Sequence, residues 1–282
     1  MRVKTAALAL CAMFAAAGAA AGQPPAPGGV AEPMPPVSLP GQTLTVTVNG
    51  QALKVGVGGA DPDADATQAA LDDISANGLL AASHHLAQLR QVMAGMPNPF
   101  DAARPSGDGE VVRAGSVESC AAFATAYLGA GGARRVTCQG NPYPTAGFYL
   151  GSYFNEIHEP DQALAALDQA LAAGPNIPIV IAERNAALIA LQRWDDVLAG
   201  ADRGLSLRLL APRDHALMLR NRGYALTELK RLDEAQQAYE QSLTFEPGNA
   251  LAKNELAYIA GLKAGSAAEQ GTIFRPNKPR SN

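Results

Sequence analysis

Laid over itself with Gly223 on Gly151, the chain meets a copy of itself: Leu229 falls on Ile157, Asp233 on Asp161, Ala235 on Ala163 and Pro247 on Pro175. A second overlay sets Leu226, Leu229, Arg231, Asp233 and Ala235 on Leu188, Leu191, Arg193, Asp195 and Val197. The stretch "RLDEAQQAYEQSLTFEPGNA" is therefore one copy of three, marked by Asp161, Asp195 and Asp233, and the second interval is the longer one. Repetition at this period constrains the fold more than any other feature. A unit so short cannot bury its apolar face alone, so successive copies must stack.

The repeated residues have distinct physical tasks. Gly151 and Gly223 sit mid-helix where only a tiny side chain lets two helices approach, and Ala163 and Ala235 do the same from the second helix. Leu167 and Tyr239 fill the adjoining gap. Pro175 and Pro247 close the second helix and turn the chain into the next unit. Asp161, Asp195 and Asp233 stand near the start of each second helix, where the positive end of the helix dipole favours a carboxylate.

These residues, at this spacing, resemble the tetratricopeptide repeat. The resemblance implies a mainly α fold: a solenoid of about three helix pairs and a capping helix over 143–265, preceded by a small α/β segment. It also implies a concave groove, lined by the first helix of each pair, that takes an extended peptide or a partner's helix. On this sequence the groove positions are Phe148, Ser152, Asn155 and Glu156, then Ala182, Ala186 and Ile189, then Arg220, Tyr224, Thr227 and Glu228. Asn254 and Tyr258 continue the line on the cap, and Arg220 with Asn254 is a candidate holder of a peptide carbonyl or carboxylate. The middle copy departs from the pattern. Asn185 stands where glycine is expected, Ala201 replaces the large residue, and four extra residues lie around "LSLRLLAPRD". Its Ala and Ile face also lacks the Lys and Asn of the family's carboxylate clamp, which argues against capture of a C-terminal carboxylate.

Upstream, Arg2 and Lys4 precede an apolar run from Thr5 to Ala17 and small residues up to Gly22. This reads as a signal peptide over 1–21, cleaved near Ala21, and as export to the periplasm. The run is shorter than the ~20 residues of a spanning helix, so no stable membrane span is expected after cleavage. Leu10 before Cys11 does not fit lipidation. Residues 22–41 are rich in Pro and Gly and read as a mobile linker. In "QTLTVTVNGQALKVGVGG", alternating apolar residues flank Asn49-Gly50, the signature of a β-hairpin with a type I′ turn. A helix or helix pair follows from Thr67 to Met96, and the N-terminal segment extends to 142. The tail over 266–282 reads as frayed.

Cys120 and Cys138 remain after export, and a lone pair in that compartment is a disulfide candidate. Its loop of about 18 residues contributes on the order of 3 kcal/mol. Losing Arg2 and Lys4 moves the formal charge from -4 to about -6, with no basic cluster to attract nucleic acid. His84-His85 lacks a zinc-helix pattern, and neighbours ~100° apart on a helix do not chelate in the usual i, i+4 way. The sequence contains no G-x-S-x-G elbow and no Walker loop. No catalytic residue, metal ligand or cofactor site is read. The leading expectation is a non-enzymatic module that binds a protein or peptide. Two readings stay open beside it: a structural or self-associating component of the cell envelope, and a periplasmic enzyme within 42–142 with accessory repeats.

Overall fold

The computed structural model describes residues 29–106, 109–131 and 135–265. The expected signal peptide, the first part of the linker and the tail lie outside the described residues. Asn49 and Gly50 form the tight turn, with φ of 51° and 77°. They join β1 (Gln42–Val48) to β2 (Gln51–Val57) in an antiparallel hairpin. The hairpin is not left alone. With β3 (Ala103–Ser106), β4 (Gly109–Arg113) and β5 (Val136–Gln139) it makes a five-stranded sheet in the order β1-β2-β5-β4-β3.

The central strand β5 runs parallel to both β2 and β4, and a parallel neighbour needs a crossover. From β4 to β5 the crossover is α3 (Val117–Gly129), which opens on a reciprocal Ser116–Ser119 capping box. Val46, Val48, Val55, Val57, Val112 and Val136 share a core with Cys120 and Ala124 of this helix. Thr43, Thr45, Thr47 and Lys54 alternate with them and stay exposed on the other face. Cys120 is bonded to Cys138, with Cα atoms 5.9 Å apart, so the helix is tied to the middle of the sheet.

From β2 to β3 the chain leaves the sheet. It makes α1 (Pro62–Asn77), a 3-10 segment (Leu79–His85) and α2 (Leu86–Gly95). Both helices contact the next long helix, α4 (Pro142–Glu156), and Leu89, Val92 and Met93 of α2 enter its core. They occupy the position of a helix pair ahead of the first repeat.

The repeats are α4 with α5 (Pro160–Ala173), α6 (Pro178–Ala190) with α7 (Trp194–Ser206), and α8 (Pro212–Glu228) with α9 (Leu232–Phe245). The last helix, α10 (Ala250–Lys263), closes the stack against α9. One turn recurs in all three pairs. His158, Gln192 and Lys230 adopt φ of 62°, 55° and 63°. The amide after each donates to the carbonyl five positions earlier: Glu159 to Phe154, Arg193 to Leu188 and Arg231 to Leu226. Each turn stands just ahead of its copy's aspartate, Asp161, Asp195 or Asp233, so the backbone keeps the period of the sequence.

Close helix approach follows the small residues. A Cβ at Gly151 would lie 2.8 Å from Leu167 Cδ1, and one at Gly223 2.8 Å from the Tyr239 ring. The middle repeat reverses the exchange. Asn185 supplies the bulk from the first helix and Gly200 supplies the space on the second, where a Cβ would collide with the Asn185 amide, and the small, buried Ala201 follows it. The departure read in the sequence is thus a transfer of volume across one interface, not a gap in the packing.

The Pro- and Gly-rich stretch differs from the mobile linker that its composition predicts. Among its described residues, Ala31 N donates to Arg208 O and Arg208 N to Gly29 O, while Glu32 N donates to Asn176 O. Asn141 N donates to Pro36 O, and Val37 and Leu39 are buried. It is a strap across the loops between repeats. The extra residues before the third repeat, Arg208 among them, form the loop that it pairs with.

Sheet and array meet at a polar junction. The side chain of Arg113 on β4 is 6% exposed, pairs with Asp61, donates to Gly140 O and lies over the Tyr143 ring. The Tyr143 hydroxyl donates to Asp63 at 3.0 Å and accepts from Arg104 at 3.3 Å.

Candidate functional site

Curvature follows from the packing order. Consecutive first helices α4, α6 and α8 touch one another, whereas the second helices α5, α7 and α9 make no comparable contacts with each other. The first helices are therefore drawn together on the inner face, and residues at their exposed positions look into a shared concavity. Phe148, Asn155, Tyr224, Glu228 and Tyr258 are half-buried along this line, Ala182 and Ala186 form its low middle, and Glu156 and Asn254 are exposed.

Several residues expected in the groove are occupied elsewhere. Ser152, Thr227 and Ile189 are buried, and the Thr227 hydroxyl donates to Gly223 O within its own helix. Arg220 is paired with Glu246, which also accepts from Asn249 Nδ2. Its charge is neutralised inside the third repeat, so the Arg220–Asn254 pair does not present a free cation to a carboxylate. Asn155 donates to the backbone oxygen of Glu183 at 3.1 Å and to its carboxylate at 3.0 Å.

The first repeat adds a hollow that the sequence reading missed. A cavity of about 470 Å³ is lined by Phe148, Tyr149, Thr145 and Ile179, by Leu71 of α1 and by strap residues such as Met34. Ile179 is a large aliphatic left 42% exposed, and the Thr145 hydroxyl is buried there without a hydrogen-bond partner. Ile179 lies one helical turn before Ala182, so helical spacing alone could have found it. No sequence signal placed the strap beside it.

The far end of the groove is aromatic and anionic. Tyr224 meets Trp194 edge-on at 5.7 Å. Burial, together with Glu228 and Glu255, pushes the Tyr224 hydroxyl above its ordinary value. Glu255, 2% exposed on the cap, is pushed up to about 7 by burial and by the nearby Glu228 carboxylate. Beneath it the Tyr239 hydroxyl is buried, unpartnered and raised well above its usual value by desolvation. With Arg220 neutralised, Glu156, Glu183 and Glu228 set the sign of the groove's charge.

Residues considered for chemistry sit elsewhere. His84 and His85 both reach Asp73 Oδ2, at 2.9 and 3.0 Å, and staple the 3-10 segment to α1. Hydrogen bonds from His84, Asn77 and His85 hold the Asp73 carboxyl at about 2. Among the described residues no group of three or more His, Cys, Asp or Glu side chains is placed to hold a metal ion, and no helix is long and apolar enough to cross a membrane.

No protein-family model matches the chain. Solved structures similar to it include the first TPR domain of human RPAP3, at 25% identity and a TM-score of 0.42 over 45% of this chain and 96% of that one. The first TPR of Spaghetti (RPAP3), bound to the HSP90 peptide SRMEEVD, shares 24% identity at a TM-score of 0.41, over 44% of this chain and 95% of that one. The PilF protein of Pseudomonas aeruginosa shares 14% identity at a TM-score of 0.47, over 72% and 70%. The helix pairing, the recurring turn and the small-residue contacts make residues 142–263 a tetratricopeptide-type solenoid.

Proposed function

We propose that this tetratricopeptide-type array is the working part of an exported, non-enzymatic protein of the periplasm, and that it holds a protein segment along its concave face. One observation carries the reading. The first helices converge on an inner face with an aromatic-lined hollow at Phe148 and Tyr149, a low Ala182–Ala186 floor and a second aromatic edge at Tyr224 and Tyr258. Large apolar and aromatic side chains with two ends and a shallow middle suit an extended segment anchored at two points. The carboxylates along the groove favour a segment with apolar side chains and Lys or Arg over an acidic one. The Cys120–Cys138 bond supports an oxidising compartment.

A photoreactive amino acid placed at Ala186 or Tyr258 in the native cell tests it, with Gln237, exposed on α9, as the control. Discrete adducts from the two groove positions, lost on Tyr224→Ala and absent from Gln237, are expected. Equal adducts from all three positions would remove the groove from the account.

A further inference from the structure

Strand β1 forms one margin of the sheet, and its outer side is unlike a guarded edge. Sheet margins are ordinarily blunted by Lys, Pro, a bulge or a covering element, because unpaired amides and carbonyls recruit other strands. "QTLTVTV" has no charge, no Pro and, in its register with β2, no bulge. Its β-branched residues favour extended pairing.

The register shows which backbone groups are free. Val48 and Gln51 flank a two-residue turn, so they form a hydrogen-bonded pair, and the ladder alternates from there. Val48, Val46, Leu44 and Gln42 spend their amides and carbonyls on β2. Those of Thr47, Thr45 and Thr43 point outward, and no partner takes them among the described residues. All three threonines are exposed. The strand thus presents three amides and three carbonyls along an unbulged, neutral edge.

We propose that β1 pairs with β1 of a second copy, antiparallel about Thr45, so that one sheet runs through both molecules. The pattern on the strand is what selects a second copy. With the two-fold axis at Thr45, Thr45 faces its own mate, and Thr43 faces Thr47 twice. Each outward amide then meets an outward carbonyl, and Thr lies opposite Thr, a favourable cross-strand pair. On the other face Leu44 lies opposite Val46. Leu44 is half-buried at the rim of the α3 core, so the pairing extends that core across the axis. A one-residue slip would set core-facing side chains against exposed ones, which fixes the register. The edge carries no charge with which to choose a foreign strand. Such a contact is isologous and closes at two copies.

The test uses the full chain with its disulfide intact, followed by sedimentation equilibrium through the micromolar range. Wild type should dimerise. Thr43→Glu with Thr47→Glu places Glu opposite Glu at two positions and should raise the dissociation constant about tenfold or more. Thr43→Glu with Thr47→Lys places Glu opposite Lys at both and should keep the dimer. Thr45→Pro, which removes an outward amide without touching the β1–β2 ladder, should also weaken it. Because dimerisation itself raises the melting temperature, the variants are compared at concentrations low enough for every form to be monomeric, where unchanged thermal unfolding and an unchanged circular-dichroism spectrum show that the hairpin survives. A wild type that stays monomeric overturns the proposal. So does a dimer that survives both Thr43→Glu with Thr47→Glu and Thr45→Pro, since it must then form through another surface.

Discussion

At the scale of single residues, the array is held by matched volumes more than by particular side chains. Gly151 accepts Leu167, Gly223 accepts Tyr239, and Asn185 is accepted by Gly200. The sequence displays the first two because glycine is conspicuous in a helix, where it weakens the element by about 1 kcal/mol relative to alanine. It hides the third, since a polar residue facing a small one resembles a lost repeat. The exchange is testable. Gly223→Asn drives a side chain into the Tyr239 ring and should destabilise the protein by about 1–3 kcal/mol, the usual cost of overpacking. Adding Ala238→Gly and Tyr239→Ala copies the middle repeat at the third and should restore more than half of that loss. Urea unfolding checks both variants. Simple addition of the three losses would show that the pairs do not share one space.

At the scale of elements, the capping helix α10 carries an unusual load. A cap is expected to bury its inner face and solvate its outer one, yet Glu255 lies on the buried side with Oε1 unpartnered. Its folded-state value of about 7 lies above the ordinary 4.5, so the native state holds the proton more tightly than the unfolded one. The sign follows: stability is greatest below about pH 4.5, falls as pH rises toward 7, and is level above that. Asp73, whose carboxyl is held down on the distant helix α1, has ionised before this window opens. The full effect is at most about 3 kcal/mol, or several degrees of melting temperature between pH 5 and 8. Glu255→Gln should flatten that slope, and amide exchange of α10 should slow most on acidification. The element was legible from its place after Pro247, whereas the carboxylate's burial was not, because Asn254, Glu255 and Lys253 look alike as a solvated polar run.

At the scale of the whole molecule, the parts that sequence periodicity revealed are joined by parts that it did not. The hairpin was legible from Asn49-Gly50 and the repeats from their glycines, alanines and prolines. The strap was not, because it is held by backbone amides and carbonyls, which leave no side-chain pattern. The α1–α2 pair was legible as helices, but its packing ahead of the first repeat was not, since it lacks the Gly–Ala–Pro signature. Asp61, Arg113 and Tyr143 come from well-separated stretches of the chain, yet they form the joint between sheet and array. A buried ion pair adds little net stability against its desolvation, but losing one partner leaves the other charge stranded. Arg113→Ala should therefore cost about 3–5 kcal/mol, through Asp61 and the lost cover of Tyr143. Arg113→Met with Asp61→Asn removes both charges, keeps most of the volume, and should cost clearly less. If the junction couples the two parts, Arg113→Ala should also split one cooperative melt into two, because the array retains its own core while the disulfide-bonded sheet retains another. Calorimetry reads both quantities. A single transition at the wild-type temperature would show that the strap and the α1–α2 pair hold the molecule together without the joint.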